Sequence, residues 1–297
     1  MKGYYFLMDV GGTTIKTNCL DEQGLPFFTR NQEFPAKSQE DQQTILENFY
    51  AIVTTINRQM AQKAQLLGVG IAFPGPFNYQ EGYSLMKGLR KYDEIYEVRL
   101  KKLIAEWLYS EFQLSVPIIF ENDATAFGLG EFLQREKSRV NRGIYLTLGT
   151  GCGSAFIVEG EVIREEYGLN SQGMLYNRPF KQSIIDDYLS ANGLQQLIKN
   201  NYSVPLTGYE LFLEAQKGNQ KALVIFDEFG TWIGEALAPF VTSFQPDEVV
   251  FGGEISGSLD YFHPAIERCF GGNLKIRYSQ NTSLSTLRGL MSLVTNG

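Results

Sequence analysis

The strongest constraint on this chain is a pattern that it carries twice: an apolar strand, a glycine-rich turn, then a second strand. In the first copy, Tyr4-Tyr-Phe-Leu-Met8 is a short continuous apolar run, the mark of a buried strand, with Asp9 at its end. Gly11-Gly12 lets the backbone reverse and approach a ligand with no Cβ in the way. Thr13 and Thr14 add hydroxyls and amides, and Ile15-Lys16-Thr17-Asn18-Cys19-Leu20 resumes a strand. In the second copy, Gly143–Gly149 runs into Thr150-Gly151-Cys152-Gly153, after which Ser154–Val158 is again apolar. One copy in each half predicts an α/β protein of two similar lobes. A hairpin tip of this composition can hold a polyphosphate on backbone donors, with Asp9 reaching a hydrated Mg²⁺. For the first copy taken alone, a plain Gly-Gly hairpin is the competing reading. A Walker loop is excluded, because no Gly-Lys-Ser/Thr opens a helix here.

The chain has 297 residues, long for a single core and suited to two lobes. Its net charge of −7 argues against a general nucleic-acid or anionic-membrane binder, and no basic run is longer than two residues, as at Lys101-Lys102. Its three cysteines, Cys19, Cys152 and Cys269, form no CxxC pair and read as reduced thiols. There is no signal-like N-terminus and no apolar run of about 18 residues, so a cytoplasmic protein is expected.

Along the chain, Phe27–Phe34 alternates as a third strand. Asp41–Lys63 carries Ile45, Phe49, Ile52, Val53 and Ile56 at helical spacing, and Leu66–Phe73 is a buried strand ending at Pro74-Gly75-Pro76. Three β elements, a helix and a strand make half of a duplicated α/β fold. Asn78–Tyr96 is polar and glycine-dotted, with Lys87-Gly88-Leu89-Arg90 and Tyr92 at its middle, and is long enough to be a functional loop, with a solvated loop as the competing reading. Leu100–Phe112 is a second helix, Val116–Phe120 a strand delivering Glu121-Asn122-Asp123, and Ala124–Glu131 a helix. The second half adds a strand over Glu161–Arg164 and helical stretches over Gln182–Asn200, Gly208–Lys217 and Asn219–Ser243, with Ala236–Phe244 apolar nearly all round and expected to be buried. A strand into Gly252-Gly253, another over Lys275–Tyr278 and a helix over Ser283–Val294 complete it. His263, the only histidine, precedes Pro264 and is expected at a helix entry.

Five segments then fall in a telling order: Asp9-Val-Gly-Gly-Thr-Thr-Ile-Lys16, Pro74-Gly75, Glu121-Asn-Asp-Ala-Thr-Ala126, Leu148-Gly-Thr-Gly-Cys-Gly153 and Phe251-Gly-Gly253. Together they resemble the sugar kinase–Hsp70–actin superfamily and, within it, the ROK family of repressors, uncharacterised frames and sugar kinases, over almost the whole chain. The resemblance implies a duplicated actin-like, ribonuclease H-like ATPase fold: lobes over 1–120 and 121–282 around an interdomain cleft, with a helix over 283–297 packing back on the first. It further implies an ATP- and Mg²⁺-dependent kinase acting on the 6-hydroxyl of a hexose-type sugar, and a homodimer.

Carried over residue by residue, the family pattern makes Asp123 the general base and Asn122, Gly75 and Gln172 sugar contacts, and it implies that Asn78–Tyr96 is a mobile flap over the sugar. Local sequence offers a competing role for Asn122-Asp123 as a helix N-cap. Asp9 would arrange water around Mg²⁺. Gly11, Gly12, Thr13 and Thr14, with Gly149, Thr150, Gly151 and Gly153, would cradle phosphates, and Gly252 and Gly253 would flank adenosine. Lys16 is a further phosphate candidate, although alternation from Thr14 points it to solvent. The chain departs from the family at Tyr167-Gly-Leu-Asn-Ser-Gln-Gly-Met174. An ungapped alignment on Gly168 puts Gln172 where many members have a sugar-gripping Glu; a one-residue shift puts Ser171 there. With no His nearby and no cysteine between Cys152 and Cys269, no zinc site is expected, which suits the branch lacking the zinc motif. Because a glutamine donates as well as accepts, a β-glucoside or an N-acylated hexosamine such as N-acetylmannosamine is expected to be used better than free glucose. A sugar-sensing regulator acting through a partner and a degenerate sugar-binding protein are the other readings.

Overall fold

A largely apolar run forms the centre of each of two sheets in the computed structural model, which describes residues 2–135, 140–203, 206–271 and 274–296. The first half runs β1 (Gly3–Val10), β2 (Thr14–Leu20), β3 (Gln32–Pro35), α1 (Gln42–Met60), β4 (Gln65–Ala72), a small hairpin of β5 (Phe77–Asn78) and β6 (Tyr83–Ser84), α2 (Leu100–Phe112), β7 (Ile118–Glu121) and α3 (Asp123–Leu133). The second runs β8 (Arg142–Leu148), β9 (Cys152–Val158), β10 (Glu161–Val162), β11 (Pro179–Phe180), β12 (Ser183–Ile184), α4 (Ile185–Tyr188), α5 (Ala191–Asn201), α6 (Gly208–Gln216), α7 (Gln220–Phe244), β13 (Glu248–Gly252), α8 (Leu259–Phe270), β14 (Lys275–Tyr278) and α9 (Thr282–Asn296).

Strand order is β3-β2-β1-β4-β7 in one sheet and β10-β9-β8-β13-β14 in the other. In both, the first three strands in sequence pair antiparallel and the last two add in parallel. The duplication expected from the two glycine turns is therefore present in the topology itself. By compactness the chain divides into Met1–Gly130 with Ser283–Gly297, and Glu131–Thr282, so the divisions fall within α3 and at the start of α9.

In the first unit the two faces of β1 are dressed differently, as a period of two requires. Phe6, Met8 and Val10 join the core formed with α1 and α2, including Ile52, Ile104 and Leu108. Leu7 and Leu20 face the other way and pack with Ala126 of α3 and Leu287 and Leu290 of α9. Asp9, two residues after Leu7, shares that second face. Helices α3 and α9 cross at their glycines: a Cβ on Gly130 would fall on the Ser285 carbonyl, and one on Gly289 on the Ala126 carbonyl. Helix α1 starts where Asp41 accepts from the Thr44 amide at 2.8 Å, and buries Ile45, Phe49, Ile52, Val53, Ile56 and Met60 along one stripe.

The second unit has its own core around Phe156, Phe226, Phe229, Phe244, Phe251 and Phe262. At its sheet edge Arg277 donates to Glu131 at 2.6 Å and to Glu248 at 3.1 and 3.2 Å, and Tyr145 also donates to Glu248. These two carboxylates are almost fully buried, and pairing with the guanidinium is what makes their burial tolerable.

Several expectations are corrected. The third strand covers only Gln32–Pro35, because Phe27 and Phe28 instead lean on the α1 side of the core from a bent segment. The strand at Glu161 is two residues long, pairing only with Ile157 and Val158. In α7, Pro239, Thr242 and Ser243 are exposed, so its C-terminal half is a stripe rather than buried all round. His263 lies inside α8, a turn before Glu267, and not at a helix entry. Asn78–Tyr96 is no solvated loop: Met86, Tyr92 and Ile95 are fully buried in the first unit's core.

Candidate functional site

Parallel register decides what meets at the edge of the first sheet. Asp9 of β1 stands beside Ala72 of β4, and Ala72 beside Glu121 of β7. The segments that follow these residues therefore leave the sheet side by side: Gly11-Gly12, Pro74-Gly75 and Asn122-Asp123. Ligands collect at the C-terminal ends of parallel strands for this geometric reason.

At the Gly11–Thr14 turn every backbone carbonyl is engaged from within the first unit. Tyr92 Oη donates to the Gly11 carbonyl at 2.9 Å and Ser38 Oγ to the Gly12 carbonyl at 2.5 Å. The Ala36 amide donates to Thr13 at 2.9 Å and the Gly11 amide to Thr14 at 3.0 Å. The Gly12 and Thr13 amides donate to no group among the described residues. With its carbonyls engaged and these two amides uncommitted, the turn is suited to receiving an anion.

Asp9 is half-buried, and its pKa is pushed up to about 6, first by burial, then by the charge of Asp123, against the pull of Lys16. Lys16 is the cross-strand partner of Asp9 in the β1–β2 ladder. Partners across a ladder share a face, so Lys16 lies beside Asp9 and not out in solvent, which corrects the alternation reading. Burial likewise raises Asp123, opposed by the Ala124 amide, which donates to it at 3.0 Å, and by the charge of Lys91. A pair of incompletely compensated carboxylates with open phosphate donors close by suits a hydrated divalent cation: hard oxygen ligands, one or two from protein and the rest water and phosphate.

Asn122 is the N-cap of α3. Its Oδ1 accepts from the Ala124 amide at 2.8 Å and from Thr125 at 3.2 Å, while Nδ2 donates to Tyr79 Oη at 3.2 Å. Tyr79 in turn donates to the Phe73 carbonyl at 3.1 Å, which ties the cap to the strand end preceding Pro74-Gly75. Asn122 thus fills the capping role, and Asp123 begins the helix with its carboxylate at the sheet edge. Gly75 is partly exposed in the neighbouring turn.

In the second unit, Gly149–Gly153 joins β8 to β9, and Gly253 follows β13, which runs parallel beside β8. Gly253 takes φ +87°, and a Cβ there would strike the Leu148 carbonyl, so glycine is required. Gly252 is buried at the end of β13. The loop is fixed by the Ala191 amide, which donates to the Gly149 carbonyl at 2.7 Å, and by Gly149 donating to Gly151 at 3.0 Å. The Cys152 amide is held by Asp186 Oδ1 at 2.6 Å. Thr150 is exposed at the tip, and the Thr150 and Gly151 amides donate to no group among the described residues. Next to Gly253 opens a cavity of 530 Å³ lined by Leu194, Gln195, Tyr209, Phe212, Glu254 and Ile255, within the range of small-molecule sites. Gln172 is half-buried in a turn organised by Asn170, whose Oδ1 accepts the Gln172 and Met174 amides at 2.9 Å each.

Sequence reasoning missed Ser38, Lys91, Asp186 and the cavity walls. Tyr92 was visible only as an aromatic in a polar stretch. The cavity had no legible signal, because its walls come from α5, α6 and the turn after Gly253. Among the described residues no group of three or more His, Cys, Asp and Glu side chains could hold a metal.

The ROK family sequence model matches residues 5–285. The N-acetyl-D-glucosamine kinase of Haemophilus influenzae is 25% identical over 289 residues, covering 91% of this chain and 90% of that protein. The glucokinase of Halalkalibacterium halodurans is 24% identical over 294 residues, covering 90% of this chain and 85% of the relative. Among solved structures, a ROK family glucokinase from Streptomyces griseus in complex with glucose and AMPPNP is similar with a TM-score of 0.72 at 19% identity, covering 99% of this chain and 100% of that one.

Proposed function

The chain belongs to the ROK family, and from that premise we propose that it is a sugar kinase transferring the γ-phosphoryl group of ATP to the 6-hydroxyl of a hexose-type sugar. The observation that carries this reading is the sheet edge of the first unit. There a half-buried carboxylate of raised pKa, Asp123, stands with Asp9 beside a turn whose Gly12 and Thr13 amides donate to no group among the described residues. Asp123 accepts the hydroxyl proton. The sugar oxygen forms its bond to the γ-phosphorus as the bond to the β–γ bridging oxygen breaks, and ADP leaves with the electron pair. A carboxylate whose pKa is raised by burial is a better acceptor for that proton than an exposed one.

Asp9 would hold Mg²⁺ through water, and the cation supplies charge neutralisation to the phosphates. The Gly12 and Thr13 amides receive phosphate oxygens; taken by itself, the second unit's turn offers the Thr150 and Gly151 amides for the same kind of group. Lys16, next to Asp9, offsets local charge. The cavity beside Gly253 takes the nucleoside, with Tyr209 and Phe212 offering ring faces. Asn122 holds α3 and the Gly75 turn in place, and its contact with sugar would be made through whatever hydrogen-bonding capacity Nδ2 retains.

Gln172 sets the acceptor preference in this proposal. A carboxylate only accepts, whereas glutamine also donates, so it can pair with a glycosidic oxygen or an acetamide carbonyl. An N-acylated hexosamine or a β-glucoside is therefore preferred over free glucose. Coupled ADP release with glucose, N-acetylglucosamine, N-acetylmannosamine and cellobiose, with and without Mg²⁺, tests both parts. Turnover of none of them refutes the kinase reading. A kcat/KM that favours glucose, unmoved by Gln172→Glu, refutes the role of Gln172 alone.

A further inference from the structure

Lys91 lies outside every motif considered so far, yet the structure fixes it over the phosphate-receiving turn. The residues on both sides of it take left-handed backbone, Arg90 at φ 57° and Tyr92 at φ 56°. For non-glycine residues that conformation persists only where surrounding contacts enforce it. Those contacts are present. Asp93 accepts the Leu89 and Arg90 amides, each at 3.0 Å, on its two carboxylate oxygens. The Tyr92 amide donates to the Ser38 carbonyl at 2.6 Å. The Tyr92 ring is wholly buried, with centroids 5.0 Å from Phe73 and 6.3 Å from Phe49, and its hydroxyl ends on Gly11.

The segment therefore crosses the turn as a strap bonded to it from above, and Lys91 is the residue the strap presents there. A Cβ built on Gly12 would lie 3.8 Å from Lys91 Cδ, so the aliphatic stem covers the Gly12 backbone. The side chain is half-buried, and its charge reaches Asp123.

We propose that Lys91 is a catalytic residue of the phosphoryl transfer, placing its ammonium on the γ-phosphoryl oxygens between the Gly12–Thr13 amides and Asp123. This rests on the kinase reading. In a loose transition state charge spreads over the equatorial oxygens of the transferred group. A cation already fixed at that position stabilises the charge without reorganising. As the sugar oxygen bonds to phosphorus and ADP departs, Lys91 keeps its proton and the hydroxyl proton goes to Asp123. The same ammonium favours the ionised form of Asp123, the form that can accept it.

The test uses the full chain and whichever sugar of the four above the parent phosphorylates fastest. Lys91→Met is expected to lower kcat about 10²-fold or more, the loss typical of one preorganised group. The KM for sugar should stay within about twofold of the parent. Lys91→Arg should retain most of the turnover, since the charge survives. Lys91→Cys treated with bromoethylamine, which rebuilds a lysine-like cation, should regain activity; it is compared with parent treated alike because Cys269 is exposed. A Lys91→Met enzyme within about threefold of the parent overturns the proposal and leaves the kinase reading intact. So does a raised sugar KM at unchanged kcat. If thermal stability also falls, failure of bromoethylamine to restore turnover counts against the proposal in the same way. A parent with no kinase activity overturns both.

Discussion

Asp123 and Asp9 sit at one sheet edge with pKa values raised for the same first cause, burial, and they are expected to fail differently when neutralised. Asp123→Asn keeps size and the Ala124 contact but removes the proton acceptor. Turnover should fall by about 10²–10⁴-fold with AMPPNP and sugar binding retained by calorimetry; a loss of only a few-fold would take the base role from Asp123. Asp9→Asn tests the electrostatic cost of the site. Asp9 titrates at about 6 in the folded chain against an ordinary 3.8, so the native state binds the proton more tightly than the unfolded chain does. Stability is then lost as pH rises through the window between these values, and the loss is complete above it. Without Mg²⁺ and nucleotide, Asp9→Asn should melt higher than the parent at pH 7.5, with the difference shrinking towards pH 4. An unchanged or lower melting temperature at pH 7.5 would contradict the assignment.

At the scale of elements, what was legible followed from local pattern and what was not came from distant pairing. The β1 and β4 runs, the α1 stripe and the two glycine turns are written in apolar spacing and in Gly pairs, and they reappear within three residues of the expected bounds. Asn122-Asp123 showed both of its possible roles in sequence, and only the hydrogen bonds to Ala124 and Thr125 reveal that Asn122 caps. Lys16 was misread because the face it shares with Thr14 is the one on which its ladder partner Asp9 stands, which only the pairing reveals. The solvated-loop reading of the strap through Tyr92 fails because the segment's polarity hides three core residues, Met86, Tyr92 and Ile95. Asn122→Ala is the element-scale test. Loss of the cap should cost about 0.5–2 kcal/mol in urea unfolding. Because the Tyr79 link to the Gly75 turn goes with it, the KM for sugar should also rise. A stability loss with unchanged KM would confine Asn122 to capping.

At the scale of the whole molecule, the first unit is closed by a helix synthesised after the second unit. In α9, Leu287 and Leu290 cover Leu7, Leu20, Ala72 and Ala126, and a Cβ on Gly70 would lie 3.0 Å from the Leu290 side chain. A chain ending at residue 282 should expose this face, binding a hydrophobic dye and aggregating where the full chain does neither; a monomeric, dye-silent truncation would show that α9 is dispensable. Domains usually mature on the ribosome in N-to-C order. Here residues 131–282 have every segment of their unit as soon as they emerge, while residues 1–130, made earlier, must wait with one side of their sheet uncovered until α9 clears the exit tunnel. The part that carries Asp9, Lys91 and Asp123 is thus the last to mature, so a nascent chain that stalls before α9 is a half-folded molecule whose first sheet still lacks its cover.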